Sequence, residues 1–373
     1  MVALTRLRAS PSIINMRKSL GLLLLCAFHA ACGGQAADRD GHCLEVTLTG
    51  TQGGPTLVNG LAGAGTLVRY GSEATGCGDL TLQFDAGRGT IERISQLGVS
   101  PLDVDAVFLT HMHSDHTEGL SGLLQHRWHF LGGPVDVVCA GDVVARRPPP
   151  QRTLSCRRLV EHTADALLQS GEIMQRHAEN RKRDPAGPAS LVHLRTVDLP
   201  LPDETATVVW KSGDVTVSVV STTHIAGSLA FRVDTPAGSV VIGGDASNSS
   251  PSPPRESSTS ETVELLATGA DILVHSVIHT AFAPDAGSTF PPAVYYRQSN
   301  ATDLGAMAER AGVRHLLLTH LIPALDSPSH GPYLVPDGPL DSDDFASAVR
   351  ESGFTGDVQV GKDLLSLRLT VTR

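Results

Sequence analysis

The chain has 373 residues and is 41% hydrophobic, which is enough apolar material for one large packed domain or two ordinary ones and excludes a generally disordered chain. Its formal net charge of −10 excludes a broad nucleic-acid footprint, because phosphate binding needs clustered lysine and arginine, so any basic patch must be local.

The first forty residues stand apart from the fold. Arg17-Lys18 precede an apolar run from Leu20 to Phe28, and small residues follow at Ala30-Ala31-Cys32-Gly33, the composition of a secretory signal over residues 1–37, with Met16 as a candidate start. The run is too short to span a bilayer as a stable helix. Ala30-Ala31-Cys32-Gly33 also resembles the cleavage box of bacterial lipoproteins, although His29 stands where leucine is usual. Simple cleavage near Ala31 or Ala37 and lipidation of Cys32 both stay open, and a lipid on Cys32 is the one membrane attachment expected.

Residues 38–373 then form the mature domain. Cys43, Cys77, Cys139 and Cys156 remain, an even number that allows three pairings, of which Cys43–Cys77 with Cys139–Cys156 is the local choice; four free thiols are the alternative. None has Cys-x-x-Cys spacing, so sulfur chemistry is not expected. Strands are predicted at Leu44–Leu48, Leu80–Phe84, Ala106–Thr110, Val135–Cys139, Val215–Ser221, Leu229–Val233, Ser239–Ile242, Ile272–His275 and His315–Thr319. Helices are predicted at Thr302–Ala311, after Ser299-Asn300 and before Gly312, and at Asp343–Glu351, before Gly353. The pattern is mixed α/β. Residues 146–206 interrupt it with Pro148-Pro149-Pro150, a helical stretch Thr163–Gln175 and the basic cluster Arg176, Arg181, Lys182 and Arg183, and read as an insertion over the core. Ser247–Ser260, rich in serine and proline, reads as a flexible loop, either a lid or ordinary surface.

The chemistry concentrates in His111-Met112-His113-Ser114-Asp115-His116, directly after the strand Ala106–Thr110. His111 and His113 lie two apart in extended chain and point the same way, while Asp115 and His116 diverge toward a second ion. Imidazole and carboxylate together suit zinc, with manganese or iron as substitutes. Distant partners stand at other strand ends, where α/β sites gather: His224 after Val215–Ser221, Asp245 after Val241-Ile242-Gly243-Gly244, and His320 after His315–Thr319. Asp85, in Phe84-Asp85-Ala86-Gly87, is placed to support a ligand histidine from behind. His126 and His129 read as surface or packing residues.

This set of residues resembles the metallo-β-lactamase superfamily, and within it the branch of ribonuclease Z and the arylsulfatase-like hydrolases, over residues 44 to 370 apart from the 146–206 segment. The resemblance implies a four-layer αββα sandwich and two zinc ions. His111, His113 and His224 would hold one, Asp115, His116 and His320 the other, and Asp245 would bridge them. Asp115 would accept the proton of a water activated between the cations. The cysteine ligand of many true β-lactamases is absent, which speaks against β-lactams. Ribonuclease Z-like enzymes carry a His-Glu pair on a late strand; here His275 is followed by Ser276, so His275 stands either as general acid or as a structural histidine. No glycine- and lysine-rich arm is seen, and transfer RNA is not an expected substrate.

The expected protein is an exported dinuclear zinc hydrolase, periplasmic, secreted or lipid-anchored at the bacterial envelope, that cleaves a small-molecule phosphodiester or sulfate ester. A lactonase or other carboxylic ester hydrolase, and a non-catalytic metal-binding protein, are the alternatives, and a homo-oligomer is left open. Iron-based oxidoreduction is disfavoured by the absence of a recognisable flavin domain.

Overall fold

In Ala106-Val107-Phe108, Ala106 and Phe108 enter an apolar cluster shared with residues of a second sheet, while Val107 enters another beneath helices. Alternate residues of one strand are thus buried on opposite faces, which is why this strand and its neighbours are continuous apolar runs rather than alternating ones. The computed structural model describes residues 41–144, 153–201, 205–250 and 252–371. The expected signal at 1–37, with Met16 and Cys32, lies outside the described residues, as does the proline run 148–150.

Two seven-stranded sheets form the middle layers. Across the first, the strands run Ser366–Thr370, His42–Gly50, Gly65–Ser72, Leu80–Phe84, Ala106–Phe108, Val135–Ala140 and Val192–Val197. Across the second they run Asp357–Val360, His315–Ile322, Ile272–Ile278, Gly238–Ile242, Leu229–Thr235, Val215–Ser221 and Thr207–Ser212. Leu82, Phe84 and Phe108 from the first sheet meet Phe231, Val240 and Val274 from the second in one core, with the Phe84 and Phe108 rings stacked at 4.7 Å. Helices Leu120–His129 and Cys156–Gln169 cover the outer face of the first sheet, and Glu261–Ala267, Ala301–Arg310 and Ser342–Arg350 cover that of the second. The αββα sandwich follows directly. No helix among the described residues is long and apolar enough to cross a membrane.

Several elements differ from the sequence expectation for physical reasons. The half-exposed strands Val192–Val197, Thr207–Ser212, Asp357–Val360 and Ser366–Thr370 carry too little apolar periodicity to stand out. The first of these belongs to the 146–206 segment and is the edge strand of the first sheet, pairing parallel with Val135–Ala140, so that segment extends the core as well as overlying it. The helix expected over Thr163–Gln175 divides into Cys156–Gln169 and Glu172–Glu179 at Gly171, which takes φ 82°. In the basic cluster, Arg176 pairs with Glu172 and Glu179, and Arg183 donates to the carbonyls of His129 and Arg176, so these two cations serve local packing. The Ser247–Ser260 loop is tied down: Ser247 N–H donates to Thr223 O at 2.8 Å, Asn248 N–H to Ser258 O at 2.8 Å and Ser258 N–H to Asp303 at 2.7 Å. The disulfides are Cys43–Cys77 and Cys139–Cys156, the local pairing.

Candidate metal centre

The parallel strands Leu80–Phe84, Ala106–Phe108, Gly238–Ile242 and His315–Ile322 bring their carboxyl ends to one edge of the sandwich, and the ligand candidates sit there. His111 leaves the Ala106–Phe108 strand in extended chain, and His113 caps the short helix Ser114–Thr117, whose first turn carries Asp115 and His116. His320 is reached differently from the expectation. The strand continues past it to Ile322, and the register with Ile272–Ile278 slips between Ser276/Thr319 and Val277/Leu321, leaving His320 as a bulged residue at φ 48°. A bulge re-aims the side chain toward the site, and so uncommon a backbone state in a non-glycine residue is typical of functional positions.

The donor atoms converge as two triads. His113 Nδ1 lies 3.0 Å from His111 Nε2 and 3.2 Å from His224 Nε2. His320 Nε2 lies 3.1 Å from Asp115 Oδ2, which is 3.6 Å from His116 Nε2. Asp245 stands between them: its Oδ2 is 3.6 Å from His224, 3.6 Å from His116 and 3.3 Å from His320. In each of three sets, His111/His113/His224, His111/His116/Asp245 and Asp115/His116/His320, the donor atoms lie within 4.8 Å of one another. His116 Nε2 and Asp245 Oδ1 are buried without a hydrogen-bond partner. Buried polar atoms without partners are costly, so a donor set of this composition fits divalent cations well.

Groups behind the ligands fix their tautomers. Asp85 accepts from the Thr110 N–H at 2.7 Å, the Thr110 hydroxyl at 2.8 Å and His116 Nδ1–H at 2.8 Å. With its proton given to Asp85, the Thr110 hydroxyl accepts from His111 Nδ1 at 3.1 Å, and the Arg297 carbonyl accepts from His224 Nδ1 at 3.0 Å. Each contact engages Nδ1 and so turns Nε2 toward the site. Gly87 is required here, since a Cβ on it would collide with the Asp115 carbonyl.

The two triads differ electrically. Burial holds His111 well below the usual imidazole range, lowers His113 and pushes His224 down to about 4, so the first triad is neutral at pH 7. Burial also works against charge on the second, but Asp85 and Asp245 raise His116 well above its usual value, and Asp245 and Asp115 raise His320. Burial would raise both carboxyls; instead His320 and His116 hold Asp245 well below the carboxylate range, and His320 brings Asp115 to about 2. Asp85→Asn keeps the shape and removes the charge behind His116. Its expected result is a roughly 10–100-fold loss of zinc affinity at the second triad, read by competition with a chromogenic chelator. Unchanged affinity would mean that Asp85 only braces the turn.

The superfamily whose sequence pattern matches residues 78–300 is described as the metallo-beta-lactamase superfamily. The chain belongs to it. Ribonuclease Z of Mycobacterium avium (strain 104) is 32% identical over 330 residues, covering 86% of this chain and 96% of its own length. Ribonuclease Z of Mycobacterium bovis (strain BCG / Pasteur 1173P2) is 29% identical over 326 residues, with the same coverage. Human tRNase Z, short form, shares the fold at a TM-score of 0.55 and 16% identity, covering 88% of this chain and 100% of its own. YhfI from Bacillus subtilis does so at 0.52 and 18%, covering 87% and 99%. The chain is a metal-dependent hydrolase of this superfamily, homologous to ribonuclease Z. Those relatives weigh against setting RNA aside as a substrate.

His275 is not brought into the cavity. It is fully buried, its ring covers Gly243 where any Cβ would collide, and its Nδ1–H donates to Ser276 O at 2.7 Å. Burial also lowers its pKa, so at pH 7 it is a neutral ring enclosed in a central strand, and it lines neither cavity beside the triads. Two residues that the sequence reading missed do line the site. His330 and Arg297 border a cavity of about 290 Å³ over the second triad, together with Asp115, Asp245 and His320. His330 ends the two-residue strand Ser329–His330 and Arg297 lies in the turn after the helix Pro292–Tyr295, and no spacing marks either.

Proposed function

We propose that the chain is a dinuclear zinc hydrolase of small phosphodiesters or sulfate esters, with manganese or iron as substitute metals. The observation that carries this is the position of Asp245 Oδ2 within 3.6 Å of His116, His224 and His320, which belong to both triads. His111, His113 and His224 would hold one ion, Asp115, His116 and His320 the second, and Asp245 both. Bound there, the cations would supply a water acidified to near neutrality and charge stabilisation at the attacked centre. Asp115, ionised at pH 7, would be the carboxylate that takes a proton from the attacking water and returns it to the leaving alcohol. The water oxygen bonds to phosphorus or sulfur, the ester bond breaks, and the alcohol leaves with a proton, so no co-reactant is needed. His330, which burial holds down to about 4, is neutral at pH 7 and offers a hydrogen bond at the cavity wall rather than a charge.

The relatives named Ribonuclease Z support an RNA phosphodiester as a second reading. The deciding experiment screens the metal-replete protein against bis-aryl phosphate, aryl sulfate, lactone, β-lactam and a short transfer RNA precursor. About two zinc ions per chain and turnover of the phosphate or sulfate are expected. Less than one bound ion, with no manganese or iron in its place, would overturn the reading; lactone turnover alone would support a lactonase, and metal without turnover a binding protein. Export is part of the proposal, supported by the basic flank and apolar run of residues 17–28 and by two disulfides in the fold. Intact-mass measurement that finds residues 1–31 retained in the native host would refute it.

A further inference from the structure

A cleft of about 1270 Å³ opens beside the first triad, with His113 and His224 at its inner end. Its walls are largely apolar, with Ser221, Thr222 and Thr223 among the lining residues. Val143 and Leu154 contribute from a pair of two-residue antiparallel strands, Leu199 and Pro200 from a loop, and Ile225 from the turn that carries His224. Among the described lining residues, Arg297 is the only lysine or arginine and Asp142 the only carboxylate. Arg297 also borders the smaller cavity over the second triad, so it stands where the two spaces meet.

Among the described residues this lining offers a single lysine or arginine and no phenylalanine, tyrosine or tryptophan, whereas a polynucleotide track needs a succession of cations along the backbone and aromatic faces for the bases. It suits a ligand with one anionic centre and an apolar arm. A concave apolar wall with few polar groups holds drug-sized ligands by desolvating them, and a guanidinium matches the oxygens of one phosphoryl or sulfuryl group. From this geometry we infer that the substrate is a small ester bearing one phosphoryl or sulfuryl anion and a bulky alkyl or aryl substituent, the substituent lying in the cleft and the anion between Arg297 and the triads. The inference rests on the ester-hydrolase reading of the site and narrows it to hydrophobic esters.

Two series on the zinc-loaded full chain test it. The first follows hydrolysis of 4-nitrophenyl alkyl phosphodiesters from methyl to hexyl; the second follows binding of the matching alkylphosphonates by calorimetry, without turnover. Apolar burial predicts that kcat/KM, through KM, and phosphonate affinity both rise by about two- to fourfold per methylene. Val143→Ser with Leu154→Ser should flatten both slopes while zinc content stays constant. A flat series with measurable turnover overturns the inference and leaves the hydrolase reading standing. If no diester turns over, the phosphonates decide: rising affinity supports the cleft while the ester reading fails, and flat affinity overturns the cleft too. Faster cleavage of a short RNA than of the hexyl diester also overturns it.

Discussion

Asp245→Ala is expected to cut the affinity for both metal ions by roughly a hundredfold or more and to leave less than one ion per chain where about two bind otherwise. The reason is its position. Asp245 is 4% exposed, and one of its oxygens faces histidines of both triads, so its removal takes negative charge from both sites at once. Burial alone would favour its neutral form, yet His320 and His116 keep it ionised, and the same coupling works in reverse on their protons. Cations entering the second triad must displace those protons, so metal affinity should fall as pH drops. His320→Ala removes a ligand of the second triad only, and should leave the first ion bound. Elemental analysis with zinc titration of both variants checks the contrast; retention of two ions by Asp245→Ala at unchanged affinity would show that Asp245 is not shared.

What the sequence revealed and what it hid have separate physical causes. Strands covered on both faces, such as Ile272–Ile278 and His315–Ile322, are led by the apolar runs Ile272-Leu273-Val274 and Leu316-Leu317-Leu318, and these runs mark them in the sequence. The donors near their ends were legible from type and spacing, four in six residues from His111 to His116 and single residues at the ends of other strands, and the fold brings them together. Asp85 was legible for the same reason, and its contact with His116 is made. Edge strands such as Thr207–Ser212 face solvent on one side, and that freedom dilutes the pattern. His275 stood open between general acid and structural histidine because its place after an apolar run matches that of the donors; in the fold its ring packs over Gly243, just past the end of the neighbouring strand. Arg297 and His330 gave no signal. Their proximity to the triads comes from tertiary packing around the cavity they line, and no local rule of sequence encodes it.

The largest stability effect is expected at Phe108, three residues before His111. Its ring is fully buried, stacks on Phe84 at 4.7 Å, and meets Phe231 and Trp210 edge-on at 5.5 and 6.0 Å. Those partners come from both sheets, so this one side chain joins the two middle layers directly beneath the ligand run. Phe108→Ala removes the buried ring and leaves a cavity that packed sheets collapse only in part, at a cost of about 3–5 kcal/mol of unfolding free energy. Phe108→Leu retains most of the volume and should cost less than half of that. Because Phe108 O accepts from the Asp85 N–H at 2.7 Å, slack in this strand also reaches the carboxylate behind His116, and zinc affinity should fall with stability in Phe108→Ala. Denaturant unfolding of the metal-free and zinc-loaded forms separates the two effects. A cost below 1 kcal/mol in the metal-free form would mean that the two sheets do not depend on this contact, and the aromatic cluster would then be incidental to how the site is held.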